Sequence, residues 1–232
     1  MAEVEFTLQK SAPVSRQPSR SASSESGSIA GHEYVDLGLP SGLLWATCNV
    51  GATSPEEYGG YFAWGETSTK SEYNWTNLKY RTSGDSYENV KFSKYVATSK
   101  YGPVDNKTQL EMMDDAARQN WGGSWRMPTK KEWQELKDNC TWTWTSQGGH
   151  NGYKVTSKNN GRSLFLPAAG NRDGSSLYVA GEWGYYWSSS LSSSLSYDAY
   201  YCLFYSSGIL PADWSRRCYG RSVRPVSSPL QN

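Results

Sequence analysis

The sequence predicts an α+β, loop-rich domain with two helices and short antiparallel sheets. Three observations predict it. The aromatic content is carried by 11 Trp and 17 Tyr against only 5 Phe, and side chains with an apolar body and a polar tip suit half-buried strands and rims. The 22 Gly, with many Ser and Asn, mark frequent turns. The hydrophobic period is helical between residues 105 and 139 and changes to two beyond it. At 232 residues the chain is long enough to bury a core without metal or disulfide staples.

In chain order, Glu3–Leu8 alternates loosely and could add one edge strand, and Ser11–Gly31 has the Ser-rich composition of a linker. Residues 1–32 are therefore assigned to an N-terminal segment, 33–227 to the domain and 228–232 to a tail. Tyr34 to Ala46 looks like two short strands around a Pro40-Ser41-Gly42 turn, and Gly59–Gly65 like a third. The polar, aromatic stretch from Glu66 to Pro103 reads as a surface excursion. Asp105–Asn120 reads as a helix with Leu110, Met113 and Ala117 facing the core. Thr129-Lys130-Lys131-Glu132 fits a capping box, with Trp133 and Leu136 on the buried face of a helix ending near Asn139. Alternating Trp142 and Trp144, an Asn151-Gly152 turn and an Asn160-Gly161 turn predict a three-stranded meander. A Gly- and Asp-rich loop at 170–175 follows, then strand-like runs at Gly184–Trp187, Tyr200–Tyr205 and Ser222–Val226.

Several functions find no support in the residues. A net charge of +1, from 23 basic and 22 acidic residues, builds no field for nucleic acid. No stretch is apolar enough to span a membrane, and the N-terminus lacks the apolar core of a signal peptide. His32 and His150 sit in contexts that suggest no catalytic triad, and none of Cys48, Cys140, Cys202 and Cys218 has a nearby base in sequence. The cysteines read as free thiols. Asp85, Asp105 and Asp173 occupy turn-like positions, where capping competes with calcium binding. No enzyme signal emerges, and no cofactor or metal is called for.

The informative interval runs from Tyr186 to Arg224. Ser, Tyr, Trp, Asp and Arg dominate it, the composition of surfaces in which rigid aromatics supply contact area and Ser supplies adaptable spacing. The plain alternative is a Ser-rich loop beside a core strand. Trp125-Arg126-Met127-Pro128-Thr129-Lys130-Lys131-Glu132-Trp133 resembles a segment of the formylglycine-generating-enzyme-like branch of C-type-lectin folds. Leu164–Gly170, Gly184–Ser189 and Ser222–Val226 are similar to the closing motifs of related Bacteroidetes domains, and Tyr34–Trp45 and Gly60–Glu66 to their opening. The resemblance covers roughly residues 33–227 and implies a C-type-lectin-like fold.

The same C-terminal layout is similar to the variable proteins of diversity-generating retroelements. That resemblance implies scaffold residues Ala199, Tyr200, Phe204, Ser206, Pro211, Ala212, Arg217 and Gly220. Between them it implies variable, ligand-facing positions: Leu191, Ser193, Leu195, Tyr197, Tyr201, Leu203, Tyr205, Leu210, Asp213, Trp214, Ser215 and Arg216. Trp214 is a misfit, because changing only the adenines of an Asn codon cannot give a Trp codon. It derives from a different template codon, or the diversification reading fails. Tyr201, Tyr205, Trp214 and Arg216 are the expected binding anchors.

The expected partner is a macromolecule, a protein or glycan on a bacterial surface, with the protein itself on a cell surface or phage particle. Neither nucleic acid nor membrane insertion is expected, and oligomerisation stays open. The alternatives are a fixed-specificity adhesin or glycan-binding module and, third, a formylglycine-type oxidase. That enzyme branch uses two cysteines a few residues apart, a spacing that Cys202 and Cys218 do not match.

Overall fold

The computed structural model describes residues 26–228, so the strand expected at Glu3–Leu8 and all but the first residue of the expected tail lie outside the described residues. The α+β expectation is corrected: 40% of the residues are in strands and 11% in helices. Among the described residues, five small antiparallel sheets and two α-helices make a β-rich protein, and the lectin-like α+β layout does not describe it.

The first sheet has the order β1-β2-β3-β14, from Ser26–Ile29, His32–Asp36, Leu44–Ala46 and Val226–Ser227. The last part of the expected linker is thus a strand. It is held because the Trp125 indole donates to the Ile29 carbonyl at 2.8 Å and His32 stacks on Trp121 at 3.8 Å. Pairing of β3 with β14 joins the two ends of the domain.

Glu66–Pro103 is not a surface excursion. It carries β4 (Arg81–Ser83) and β5 (Lys91–Phe92), and its Tyr73, Trp75, Leu78, Val90, Phe92, Val96 and Tyr101 form a third core with Tyr61, Ala63 and Cys218. Its anchor is Asp114, whose buried carboxylate accepts from the ammoniums of Lys79 and Lys94, both at 2.6 Å, and from the hydroxyls of Tyr80 and Tyr95 at 2.7 and 2.6 Å. Tyr80 and Tyr95 reach it from left-handed backbone, φ 65° and 59°, a conformation bulky residues adopt only where the surroundings hold it.

The long helix expected at Asp105–Asn120 breaks into a 3₁₀ turn at Met112–Asp114 and a short α1 at Ala116–Trp121. Aspartates take backbone donors that a continuous helix would need: Asp105 accepts from the amides of Tyr95, Val96 and Lys107, and Asp115 from Arg118 and Met127. Leu110 and Ala117 are buried as expected, but Met113 is exposed. Helix α2 spans Lys130–Asn139 with the capping box of Thr129 and Glu132 formed and Trp133 and Leu136 buried.

The meander comprises β6 (Cys140–Gln147), β7 (His150–Ser157) and β8 (Ser163–Pro167). Its first turn is Gly148-Gly149, both with positive φ as a two-residue hairpin loop requires. Asn151-Gly152, expected as the turn, lies within β7, where a Cβ on Gly152 would strike the facing strand and the Phe165 ring. A small hairpin, β9 (Asn171–Asp173) and β10 (Ser176–Tyr178), occupies the expected 170–175 loop.

The last sheet is β11 (Trp183–Leu191), β12 (Asp198–Tyr205) and β13 (Gly208–Arg216). Side chains on one of its faces, Tyr186, Cys202 and Phe204, join Trp45, Trp133, Leu136, Tyr153 and Leu166 in the main core. Gly184 pairs with Phe204 and leaves room for that ring. On the other face Trp187, Leu191, Ala199, Tyr201 and Leu203 join Phe62, Trp64, Tyr95 and Val223 in a second core.

Three arginines close the chain in the interior: Arg217, Arg221 and Arg224, none more than 2% exposed. None forms an ion pair among the described residues. Arg217 lies between the rings of Trp64 and Phe92, at 4.8 and 4.3 Å, and Arg221 against Tyr201 and Trp187, at 3.7 and 4.4 Å. Arg224 donates to Asn49 and to the carbonyls of Ala46 and Thr47.

Candidate functional site

Period-two alternation decides which of the expected binding residues share a face. In β12 and β13, Tyr201 stands opposite Asp213, Ala199 opposite Ser215, Leu203 opposite Leu210 and Tyr205 opposite Gly208. Tyr201, Leu203, Tyr205, Leu210, Asp213 and Ser215 therefore lie on one face, and the Tyr201 hydroxyl donates to the Asp213 carboxylate at 2.8 Å. The positions opposite them in β11 are Trp183, Tyr185 and Trp187. Half of this face is covered by the second core. The other half is the more open one: Leu210 is exposed, and Trp183, Tyr185 and Tyr205 are half-buried, the first two packed against the rim of the second core.

The structure does not bring the remaining expected residues to this face. Trp214 pairs with Tyr200, next in register to the Tyr201–Asp213 pair, so it points to the opposite face, 55% exposed. Expected anchors Tyr205 and Trp214 therefore cannot grip one ligand together. Leu195 and Tyr197 pack on the core formed by the 66–103 segment, Tyr197 with its ring 5.3 Å from that of Tyr101. Arg216 lies there too, over Tyr87 at 4.9 Å, and donates to the Tyr219 hydroxyl. Ser193 is exposed in the β11–β12 connection. Leu191, Tyr201 and Leu203 are only 4, 5 and 6% exposed, so they are corrected from ligand-facing to core positions. Each faces the second core.

Sequence reasoning missed Trp183, Tyr185 and Arg221. The first two carry a signal: Trp183-Gly184-Tyr185-Tyr186-Trp187 alternates with its neighbours as a strand does. Nothing in the sequence marks Arg221 as buried.

On the open half the aromatics form a row. Ring centroids are 4.7 Å apart for Tyr205 and Trp183, 6.1 Å for Trp183 and Tyr185 and 5.8 Å for Tyr185 and Tyr201, with interplanar angles of 27°, 14° and 21°. These separations fit offset-stacked rings. The Arg221 guanidinium closes the row over Tyr201, and Gly208 lies under Tyr205, where an added Cβ would come within 2.9 Å of the ring. Burial raises the Tyr185 hydroxyl above its ordinary pKa, against the pull of Arg221, and raises Tyr201 likewise. Both stay protonated donors at neutral pH.

The thiols are unpaired, and Cys140, Cys202 and Cys218 are buried. Burial pushes Cys140 up to about 11 and Cys218 to about 12. Thiols held protonated in this way are poor nucleophiles. Among the described residues no group of three or more His, Cys, Asp or Glu could hold a metal ion, and no helix is long and apolar enough to cross a membrane. Comparison with protein-family models, with curated proteins and with solved structures found no match.

Proposed function

We propose that this is a non-catalytic ligand-binding protein that captures a macromolecule on the open half of the β11–β13 sheet. The observation that carries the reading is the convergence of Trp183, Tyr185, Tyr205, Leu210 and Asp213 on one face of a sheet whose other face is locked into the main core. A rigid sheet holds these side chains in place, and substitution at an exposed position such as Leu210 typically changes stability by no more than about 0.5 kcal/mol, so that position tolerates variety. Together with the motif resemblance, this supports a variable protein of a diversity-generating retroelement. Leu210, Asp213 and Tyr205 are then the diversified contacts.

Purified protein is incubated with bacterial surface fractions, and the captured material is compared between variants. Wild type captures its ligand, the Trp183→Ala/Leu210→Ala variant loses capture, and Trp214→Ala, on the other face, retains it. Undiminished capture by the double variant overturns the reading. A second reading, an adhesin of fixed specificity, is favoured by one observation: Trp183 lies outside the Tyr186–Arg224 interval yet stacks on both Tyr205 and Tyr185. A reverse-transcriptase gene and a near-copy of those codons in neighbouring DNA decide between the two.

A further inference from the structure

Away from the sheet, the 3₁₀ turn at Met112–Asp114 holds two methionine side chains in solvent, Met112 67% and Met113 62% exposed. The backbone that presents them is pinned. The Glu111 amide donates to the Tyr95 hydroxyl at 2.9 Å, and the Met112 carbonyl accepts from the Asp115 amide at 3.4 Å and from the Gln119 side chain at 2.9 Å. Met127, the other methionine among the described residues, is only 2% exposed and belongs to the second core.

The two exposed sulfurs differ in one respect. The Lys94 ammonium lies 2.6 Å from the carboxylates of both Asp114 and Glu111, and it reaches the Met113 sulfur at 3.7 Å. An ammonium has three donors, and a thioether is a weak acceptor. Two donors of Lys94 therefore have carboxylates, while the third has only the sulfur. The Met112 sulfur takes no hydrogen bond among the described residues. Neighbours in sequence and alike in exposure, the pair carries its own internal control.

We propose that Met113 is a site of reversible oxidation by peroxides, and that its sulfoxide oxygen is held by the Lys94 ammonium. With hydrogen peroxide, the sulfur lone pair attacks one peroxide oxygen and an S–O bond forms as the O–O bond breaks. The proton on the transferred oxygen passes to the departing hydroxide, which leaves as water. Sulfur gives up two electrons and the peroxide takes them; reductases specific for each sulfoxide epimer reverse the change. The new oxygen is a far stronger acceptor than the thioether, and it gives the third donor of Lys94 a full hydrogen bond. Because Met113 already stands in solvent, its added polarity disrupts no apolar packing, as it would at Met127. Oxidation therefore tightens the Asp114 cluster that anchors the 66–103 segment.

The full-length protein is treated with hydrogen peroxide, mapped by peptide mass spectrometry and melted, then melted again after reduction by reductases for both epimers. Met112 and Met113 are expected to oxidise while Met127 stays reduced. Peroxide is expected to raise the melting temperature of wild type relative to Met113→Leu by about 2–4 °C, the shift that one added charge-assisted hydrogen bond gives a domain of this size. Reduction is expected to remove that rise. Oxidation elsewhere, at Cys48 for example, is common to both proteins and cancels in the comparison. Met112→Leu is expected to respond to peroxide as wild type does. A Met113 no more reactive than Met127 overturns the proposal. So does a peroxide response that is the same in wild type and Met113→Leu, or one in which wild type is the more destabilised.

Discussion

Asp198 stands opposite Arg216 in the register of β12 and β13 and is only 6% exposed. Burial raises its pKa to about 6, with Arg216 and Arg221 pulling the other way. In an unfolded chain the same carboxyl titrates near 4. A folded pKa above the unfolded one means that ionisation costs stability: the contribution is largest below about pH 4 and is lost as pH rises through about 6. Asp198→Asn is therefore expected to be more stable than wild type at pH 7 by about 1–2 kcal/mol, and no more stable at pH 4. Urea unfolding at the two pH values measures this, and equal midpoint shifts at both would refute it. Few such residues were legible beforehand. Sequence shows an acid beside Tyr197 but not the two guanidiniums that fold back from residues further along.

At the scale of single elements, legibility followed how local the determinants are. Helix α2 was readable because its start depends on two residues three apart, Thr129 and Glu132, and its burial on Trp133 and Leu136. The expected helix at 105–120 was not, because the donors that break it go to Asp105 and Asp115 from partners as distant as Tyr95 and Met127. The candidate site was half legible. Its strands β12 and β13 lie in the expected interval, but a β-bulge between Tyr201 and Leu203 and the face assignment of Trp214 emerge only from pairing.

The helix cap offers a measurement at this scale. Thr129 accepts from the Glu132 amide, while the Glu132 carboxylate accepts from the Thr129 amide at 2.7 Å and from both terminal nitrogens of Arg126 at 2.8 and 2.6 Å. Thr129→Ala is expected to cost about 1 kcal/mol. Glu132→Ala is expected to cost more, since it also leaves the Arg126 guanidinium without its carboxylate. Denaturant midpoints for the pair give the order, and the reverse order would show that the cap outweighs the ion pair.

Across the whole molecule, buried polar and cationic groups lie between hydrophobic cores, as Arg217 does between Trp64 and Phe92. For Asp114, burial pushes the pKa up, but hydrogen bonds from Lys79, Lys94, Tyr95 and Tyr80 outweigh it and hold the carboxyl at about 2. A folded pKa below the unfolded value contributes stability that is present above about pH 4 and is lost as pH falls toward 2. Asp114→Ala strands two ammoniums and two hydroxyls, with an expected cost of about 3–5 kcal/mol at neutral pH. Its penalty is expected to shrink in acid, as thermal melts at pH 7 and pH 3 would register. A penalty that does not change with pH would assign the cost to lost packing instead.

Closure by β14 has a consequence for any gene whose codons 188–216 are rewritten. Strand β3 waits for Val226 and Ser227, and Asn49 for Arg224, 175 positions away. A rewritten copy that acquires a stop codon or slips its reading frame never delivers those partners. Its aromatic strands stay unburied and open to proteolysis. Only messages translated in frame through β14 therefore yield a folded protein.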